Sequence, residues 1–304
     1  MIDSMTGKMH DAGDSNPTQL RPGDPPWFDL PEPAYRVHAA SLPENDDIRQ
    51  AAASYREKGY LIRDFGFDDA DLAEAAAYTR SITGVRVQDA WMVNPAIKRL
   101  ATHPRVMSFL RDLYRREPIP FQTLNFPRGS QQDAHSDAYF FNSIPAGFMC
   151  GVWIALEDIH PESGPLVYYP GSQRLPVITN AQLPGGSSDG YDSAMHAAVS
   201  GAGINPETAP IRRGQAFIWS ANLAHGGSPI LDPARTRLSQ VIHFFFDRCS
   251  YLTPMASRGE NTFWREPFNI ATGAFVPNAD GQKARLSLRV GQRLRLWTKR
   301  PYAS

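Results

Sequence analysis

Residues 147–174 read GFMCGVWIALEDIHPESGPLVYYPGSQR. Aromatic and β-branched residues fill two short runs, GFMCGVWIALE and GPLVYYP, and the turn-forming stretches HPESG and PGSQR bound them. Runs of this length and composition, punctuated by Gly, Pro and Ser, predict β-strands. The same texture recurs on both sides: IPFQTLNF at 119–126, GQAFIWS at 214–220 and RLSQVIHFFF at 237–246. Short strands spaced this way, without long helices between them, are expected to pair antiparallel as a sandwich or jelly roll.

Upstream the period changes. DDIRQAAASYREKGYLI (46–62) predicts a helix stopped by Gly59, then a strand from Tyr60 to Arg63. DDADLAEAAAYTRSITG (68–84) predicts a second helix, with acids in its first turn and Gly84 just past its end. NPAIKRLATHPRVMSFLRDLYRREP (94–118) predicts two short helices broken at Pro104. The fold class is therefore mainly β with flanking helices (α+β).

Three segments lie apart from this pattern. Residues 1–45 are polar and proline-rich and are expected to form a tail or strap, with Trp27 and Phe28 docking on the body. Residues 46–250 then form the main domain, and 251–304 an extension packing on it. Within that extension, KARLSLRVGQRLRLWTKR (283–300) alternates Arg with apolar residues, which predicts an edge strand with a solvated basic face. The segment 178–210, ITNAQLPGGSSDGYDSAMHAAVSGAGINPETAP, is long, rich in Gly and Ser and poor in strand formers. It is expected to be a mobile lid that orders over a substrate, and its removal is expected to spare metal binding.

Composition narrows the function. Lys plus Arg number 31 and Asp plus Glu 31, so the net charge is zero, and a generally basic nucleic-acid binder is not expected. No run of about 18 apolar residues is present, so no membrane association is expected. The two cysteines, Cys150 and Cys249, have no metal-binding spacing and read as reduced, buried thiols. A cytoplasmic protein acting on a small molecule, as monomer or homodimer, is the expectation.

The chemistry-bearing stretch is QQDAHSDAYFF (131–141), where His135 and Asp137 stand two residues apart. His225 follows the strand GQAFIWS after a short turn. A jelly roll can bring an early strand end beside a late strand start. Two imidazoles and one carboxylate suit Fe(II), because they hold a divalent ion without filling its coordination sphere. Two arginines, Arg235 and Arg237, precede the last strand and are candidates for gripping the distal carboxylate of a dicarboxylic co-substrate. Ser239, two residues after Arg237, could add a hydroxyl donor on the same strand face. Trp153, eighteen residues after His135, could wall the co-substrate pocket. Tyr139, Phe140 and Phe141 are candidates for substrate choice.

Together these blocks, HSD at 135–137, GVWIALEDIHPESGPLVYYPGSQR, GQAFIWSANLAHGGS and TRLSQVIHFFF, resemble the phytanoyl-CoA dioxygenase family of Fe(II)- and 2-oxoglutarate-dependent oxygenases over residues of about 45 to 250. The resemblance implies a double-stranded β-helix (jelly-roll, cupin-like) core. It implies His135, Asp137 and His225 as iron ligands, and Arg237 rather than Arg235 as the anchor of 2-oxoglutarate. It further implies Trp153, Gln122, Asn125 and Ser228 as co-substrate contacts. The implied reaction consumes O2 and 2-oxoglutarate, releases succinate and CO2, and hydroxylates a small metabolite or natural-product intermediate. Asp137 in the carboxylate position favours hydroxylation over halogenation. A non-catalytic or differently reacting metal-binding cupin is the alternative.

Overall fold

A computed structural model describes residues 20–186, 188–298 and 301–303; the first 19 residues of the expected tail lie outside them. Strands β1 (Tyr60–Asp64), β2 (Val87–Gln88), β3 (Pro118–Phe126), β4 (Asn142–Ile144), β5 (Met149–Ala155), β6 (Leu166–Tyr168), β7 (Glu207–Thr208), β8 (Gln215–Ser220), β9 (His225–Gly227), β10 (Ser239–Phe246) and β11 (Ser250–Leu252) follow in chain order. The large sheet has the order β1-β8-β5-β10-β3-β2 and ends on a two-residue strand, Tyr302–Ala303. A small sheet, β7-β6-β9, supplies the second layer. All pairings in these two sheets are antiparallel. The molecule is a jelly roll, mainly β with flanking helices.

The sequence alternation decides which face each residue takes. Val152 and Ile154 of β5, Ala216 and Ile218 of β8, and Ile242 and Phe244 of β10 join the core on the helix-covered face. Trp153, Phe217, Trp219, Leu124 and Val241 form a separate cluster with Leu166 and Tyr168 of the small sheet. The second face is the inside of the roll.

The helices α1 (Glu32–Ala40), α2 (Asp47–Lys58), α3 (Asp69–Arg80), α4 (Pro95–Ala101) and α5 (Pro104–Tyr114) buttress the outer face. Three of them, α2, α3 and α4, start on a side-chain cap. Asp46 accepts from Arg49 N at 3.0 Å, Asp68 from Ala70 N at 2.8 Å, and Asn94 from Ile97 N at 3.0 Å. Gly59, with φ 80°, ends α2 in the left-handed conformation. Pro104 is the first residue of α5, where its missing N–H leaves nothing unpaired. The second helix stops at Arg80, four residues short of Gly84, on a Ser81 cap. Trp27 and Phe28 are fully buried, and the Trp27 indole donates to Leu113 O at 2.8 Å. The segment after them is helix α1.

One expectation is corrected, and one segment carries more structure than its composition shows. The Arg-apolar alternation at 283–300 predicts a strand, but Leu286–Thr298 is a helix. Arg, Leu and Gln are good helix formers. Helical spacing also lets Arg289 reach Glu266 at 2.8 Å and Arg295 reach Asp89 at 2.7 Å. The 178–210 segment contains 3-10 turns and a helix, Tyr191–Gly201, whose Tyr191, Met195 and Val199 are buried against Leu183, Tyr139 and Ala224. Asn180 ties it down, donating to the carbonyls of Met255 and Ser257 at 2.9 and 2.8 Å. Gly and Ser dominate the segment's first half and hide the apolar spacing of Tyr191, Met195 and Val199.

One cross-strand row matters most. Gln122, His243, Gly151 and Trp219 are register neighbours across β3, β10, β5 and β8. Position 151 carries no side chain, and the Trp219 ring lies over the space a Cβ would fill. Gly151→Ala should therefore displace Trp219 and destabilise the fold by about 1–3 kcal/mol, as overpacked core positions do. Urea unfolding checks this.

Candidate metal centre and co-substrate pocket

Residues 133–135 run alongside β9. His135 N donates to His225 O at 2.9 Å, and His225 N donates to His135 O at 2.9 Å, a hydrogen-bonded antiparallel pair. This pairing sets the two imidazoles side by side, with ring centroids 4.4 Å apart. The chain then turns into a short helix, Asp137–Phe140, capped by the Ser136 hydroxyl. That turn brings the Asp137 carboxylate back over the two rings. One ligand atom from each of His135, Asp137 and His225 lies within 4.8 Å of the others.

The imidazole tautomers follow from their partners. His135 Nδ1 is 2.9 Å from Asp133 O, and His225 Nδ1 is 3.0 Å from Leu223 O. A carbonyl only accepts, so both rings carry their proton on Nδ1. Both Nε2 lone pairs are left for a metal. Burial pushes His135 down to about 4 and holds His225 below its ordinary range, so both rings are neutral donors near neutral pH. Burial opposes ionisation of Asp137, but the imidazoles of His243, His225 and His135 and the Trp219 N–H outweigh it and hold its carboxyl low. Trp219 Nε1 donates to Asp137 Oδ2 at 2.8 Å, and His243 Nε2 faces the same oxygen at 3.5 Å. The side-chain amide of Gln122 in turn holds His243 Nδ1 at 2.8 Å. The Trp219 indole thus orients the carboxylate, with His243 packed beside it.

The donors open on a cavity of about 210 Å³ that Arg237, Trp153, Gln122, Phe140 and Phe141 also line. Arg237 is 2% exposed, and its guanidinium carbon is 5.6 Å from the Trp153 ring centroid. One Nη donates to Arg128 O at 3.3 Å, whereas its Nε, like the Trp153 Nε1, has no partner among the described residues. Burial lowers the guanidinium to about 10, so it remains a cation at neutral pH. Arg235, the competing candidate, sits outside the cavity and pairs with Asp232 at 3.0 Å.

Three expected contacts are not brought to the cavity. Asn125 lies on the opposite face of β3 from Gln122, Leu124 and Phe126, as strand alternation requires, and donates to Thr79 Oγ1 at 3.0 Å. Ser228 lies beyond β9, where its N–H donates to Pro165 O at 2.9 Å. Ser239 shares the register face of Val241 and His243, but it is fully buried between Phe126 and Ala155 and does not line the cavity. Of the three aromatics after Asp137, Phe140 and Phe141 face the cavity, whereas Tyr139 turns away and donates to Asn180 at 2.5 Å.

Several contributors are missed by the sequence. Trp219 and His243 read there as ordinary strand residues, and only the register row joins them to Asp137. Arg86 and Gln88 line the cavity from the residue before the two-residue strand β2 and from that strand, which has no readable pattern. Tyr191 is the least expected. Its hydroxyl receives the N–H of Ser136 at 2.9 Å, midway between the first two donors, and its ring stacks on Tyr139 at 4.0 Å. The expected lid is therefore tied to the metal-binding turn, and deleting it should disturb the metal site rather than spare it. Tyr191→Phe leaves a buried N–H unpaired, which should cost about 1–3 kcal/mol. Chemical denaturation and iron titration of the variant would both register it.

A jelly roll with two imidazoles and a carboxylate at the mouth of one cavity defines a class of candidate mononuclear-metal proteins. The family model described as phytanoyl-CoA dioxygenase (PhyH) matches residues 47–237, and the chain belongs to that family. The mouse (Mus musculus) phytanoyl-CoA dioxygenase domain-containing protein 1 is 27% identical over 142 residues, which is 43% of this chain and 47% of the relative. The zebrafish (Danio rerio) protein of the same name is 34% identical over 82 residues, 26% and 28% of the two chains. The chain spans about half or less of the length of these relatives. Among solved structures, the epimerase SnoN in complex with Fe3+, alpha ketoglutarate and nogalamycin RO aligns with TM-score 0.53 and 24% identity, covering 67% of this chain and 85% of its own. EctD from S. alaskensis with 2-oxoglutarate and 5-hydroxyectoine aligns with TM-score 0.54 and 18% identity, covering 80% and 90%. These likenesses show the fold. No helix among the described residues is long and apolar enough to cross a membrane.

Proposed function

We propose that this chain is an Fe(II)- and 2-oxoglutarate-dependent oxygenase that hydroxylates a small-molecule substrate and releases succinate and CO2. The observation that carries this reading is the pairing of two features in one cavity: three converging donors with their lone pairs free, and a buried arginine with an unpartnered Nε. Family membership supports it. The donor set fits a divalent iron, because neutral nitrogen donors and one anion leave open coordination positions. The Arg237 fork fits the distal carboxylate of a dicarboxylic acid.

When bound, Fe(II) and 2-oxoglutarate supply the oxidising chemistry, in which O2 is spent on decarboxylating the 2-oxo acid and oxidising the substrate. The chain supplies placement. His135 and His225 hold the ion through Nε2, with Nδ1–H anchored to backbone carbonyls. Trp219 fixes the Asp137 carboxylate, and His243 packs beside it. Arg237 and the Trp153 wall orient the co-substrate. Phe140 and Phe141 keep the cavity apolar where the substrate enters. Similar folds include an epimerase and a carbocyclase, so product analysis decides whether oxidation ends in hydroxylation.

The test is succinate formation from 2-oxoglutarate by the Fe(II)-loaded protein, with and without pools of small metabolites. Metal-dependent succinate that rises with a metabolite, together with a product heavier by one oxygen atom, is the expected result. Absence of any metal-dependent succinate would leave the non-catalytic cupin reading in its place.

A further inference from the structure

Beside the metal cavity lies a smaller chamber of about 40 Å³, lined by Gln88, Trp91, Gln122, Arg265, Gln292 and Arg295 among others. Gln88 and Gln122 border both spaces. Phe141, a wall of the larger cavity, lies 4.9 Å (ring centroid) from the Arg265 guanidinium carbon.

Charge in the chamber does not balance. Asp89 is engaged by Arg295 at 2.7 Å, and its oxygens also accept from Trp91 Nε1 at 3.2 Å, Gln88 Nε2 at 3.2 Å and Thr123 N at 3.1 Å. Glu266 is taken by Arg289 at 2.8 Å. Arg265 donates to Thr253 Oγ1 at 3.0 Å, and its enclosed Nε has no partner. Among the described residues no carboxylate pairs with it. Burial pushes Arg265 down to about 10, with Asp89 opposing, so it stays charged at neutral pH. Arg265 is half-buried and feels the Asp89 charge only at a distance, so an anion brought into contact with its guanidinium would gain a charge-assisted pair.

We propose that this chamber receives a carboxylate group carried by the primary substrate, with Arg265 as its recognition residue. The substrate would reach past Phe141 from the metal cavity. The small volume suits a planar carboxylate better than a phosphate, and the guanidinium fork matches its two oxygens. Arg237 and Arg265 lie in separate spaces, so co-substrate and substrate anions would be held by different arginines. The inference rests on the oxygenase reading, because it names the substrate class for that site.

The test is a titration of the full chain, followed by tryptophan fluorescence, since Trp91 lines the chamber. The probes are sodium propionate, inorganic phosphate and sodium chloride at matched ionic strength. In Arg237→Gln, where the co-substrate arginine is removed and only the chamber is left to answer, a saturable response to propionate is expected, and adding Arg265→Gln weakens it at least tenfold. No saturable response, one that survives the added Arg265→Gln, one that chloride reproduces, or tighter binding of phosphate than of propionate overturns the proposal. If Arg265→Gln does not fold, the parent protein still decides. Propionate should slow phenylglyoxal modification of the Arg265 peptide at least threefold, and unchanged modification overturns the proposal. Neither measurement needs metal or turnover. A normal propionate titration with no succinate formation would count against the oxygenase reading and not against the chamber.

Discussion

Asp137→Ala should abolish metal-dependent succinate formation and weaken iron binding by on the order of 100-fold or more, beyond the loss typical of removing a residue that only supports a ligand. Asp137 is the single anionic donor of the set, so its loss leaves two neutral imidazoles to hold a dication. The damage extends to its supports. The Trp219 N–H, which donates to Asp137 at 2.8 Å, and the facing His243 would lose their common partner in a buried place. The backbone pair between His135 and His225 does not involve Asp137 and should persist. The variant is therefore expected to fold while failing to bind iron. Anaerobic iron titration beside circular dichroism checks both halves, and parental iron affinity in a folded Asp137→Ala protein would rule the assignment out.

Arg237→Ala should weaken 2-oxoglutarate binding by about 2–5 kcal/mol, the cost of removing one partner of a buried charge pair. The side chain is 2% exposed, so little water screens its charge. Arg235→Ala should do almost nothing, because that residue is a surface cation already paired with Asp232. Calorimetric titration of 2-oxoglutarate into both variants separates them, and the reverse ranking would move the anchor to Arg235.

The sequence made the large sheet and the three converging donors readable because both rest on local pattern. Strands such as GQAFIWS alternate faces with period two, and the HxD pair stands at one strand-like end. Trp219 and His243 were not readable, because their role depends on register across four strands, which no single stretch encodes. Asn125 was misplaced although the period alone places it: it stands three residues from Gln122 with no register break between them, so the two side chains take opposite faces of β3. The C-terminal helix was misread because its Arg-Leu alternation imitates a strand while its partners, Glu266 and Asp89, are distant in sequence. In the 178–210 segment, Gly and Ser concealed Tyr191, whose bond to Ser136 is visible only in three dimensions.

The most direct test of the proposed site is linkage between its two occupants. If His135, Asp137, His225 and Arg237 form one site, iron and 2-oxoglutarate must raise each other's affinity by the same factor. Anaerobic calorimetry of 2-oxoglutarate binding, with and without Fe(II), measures it. The expected result is binding at least tenfold tighter with the metal, and loss of that enhancement in Asp137→Ala. Equal affinity with and without Fe(II) would contradict a shared site.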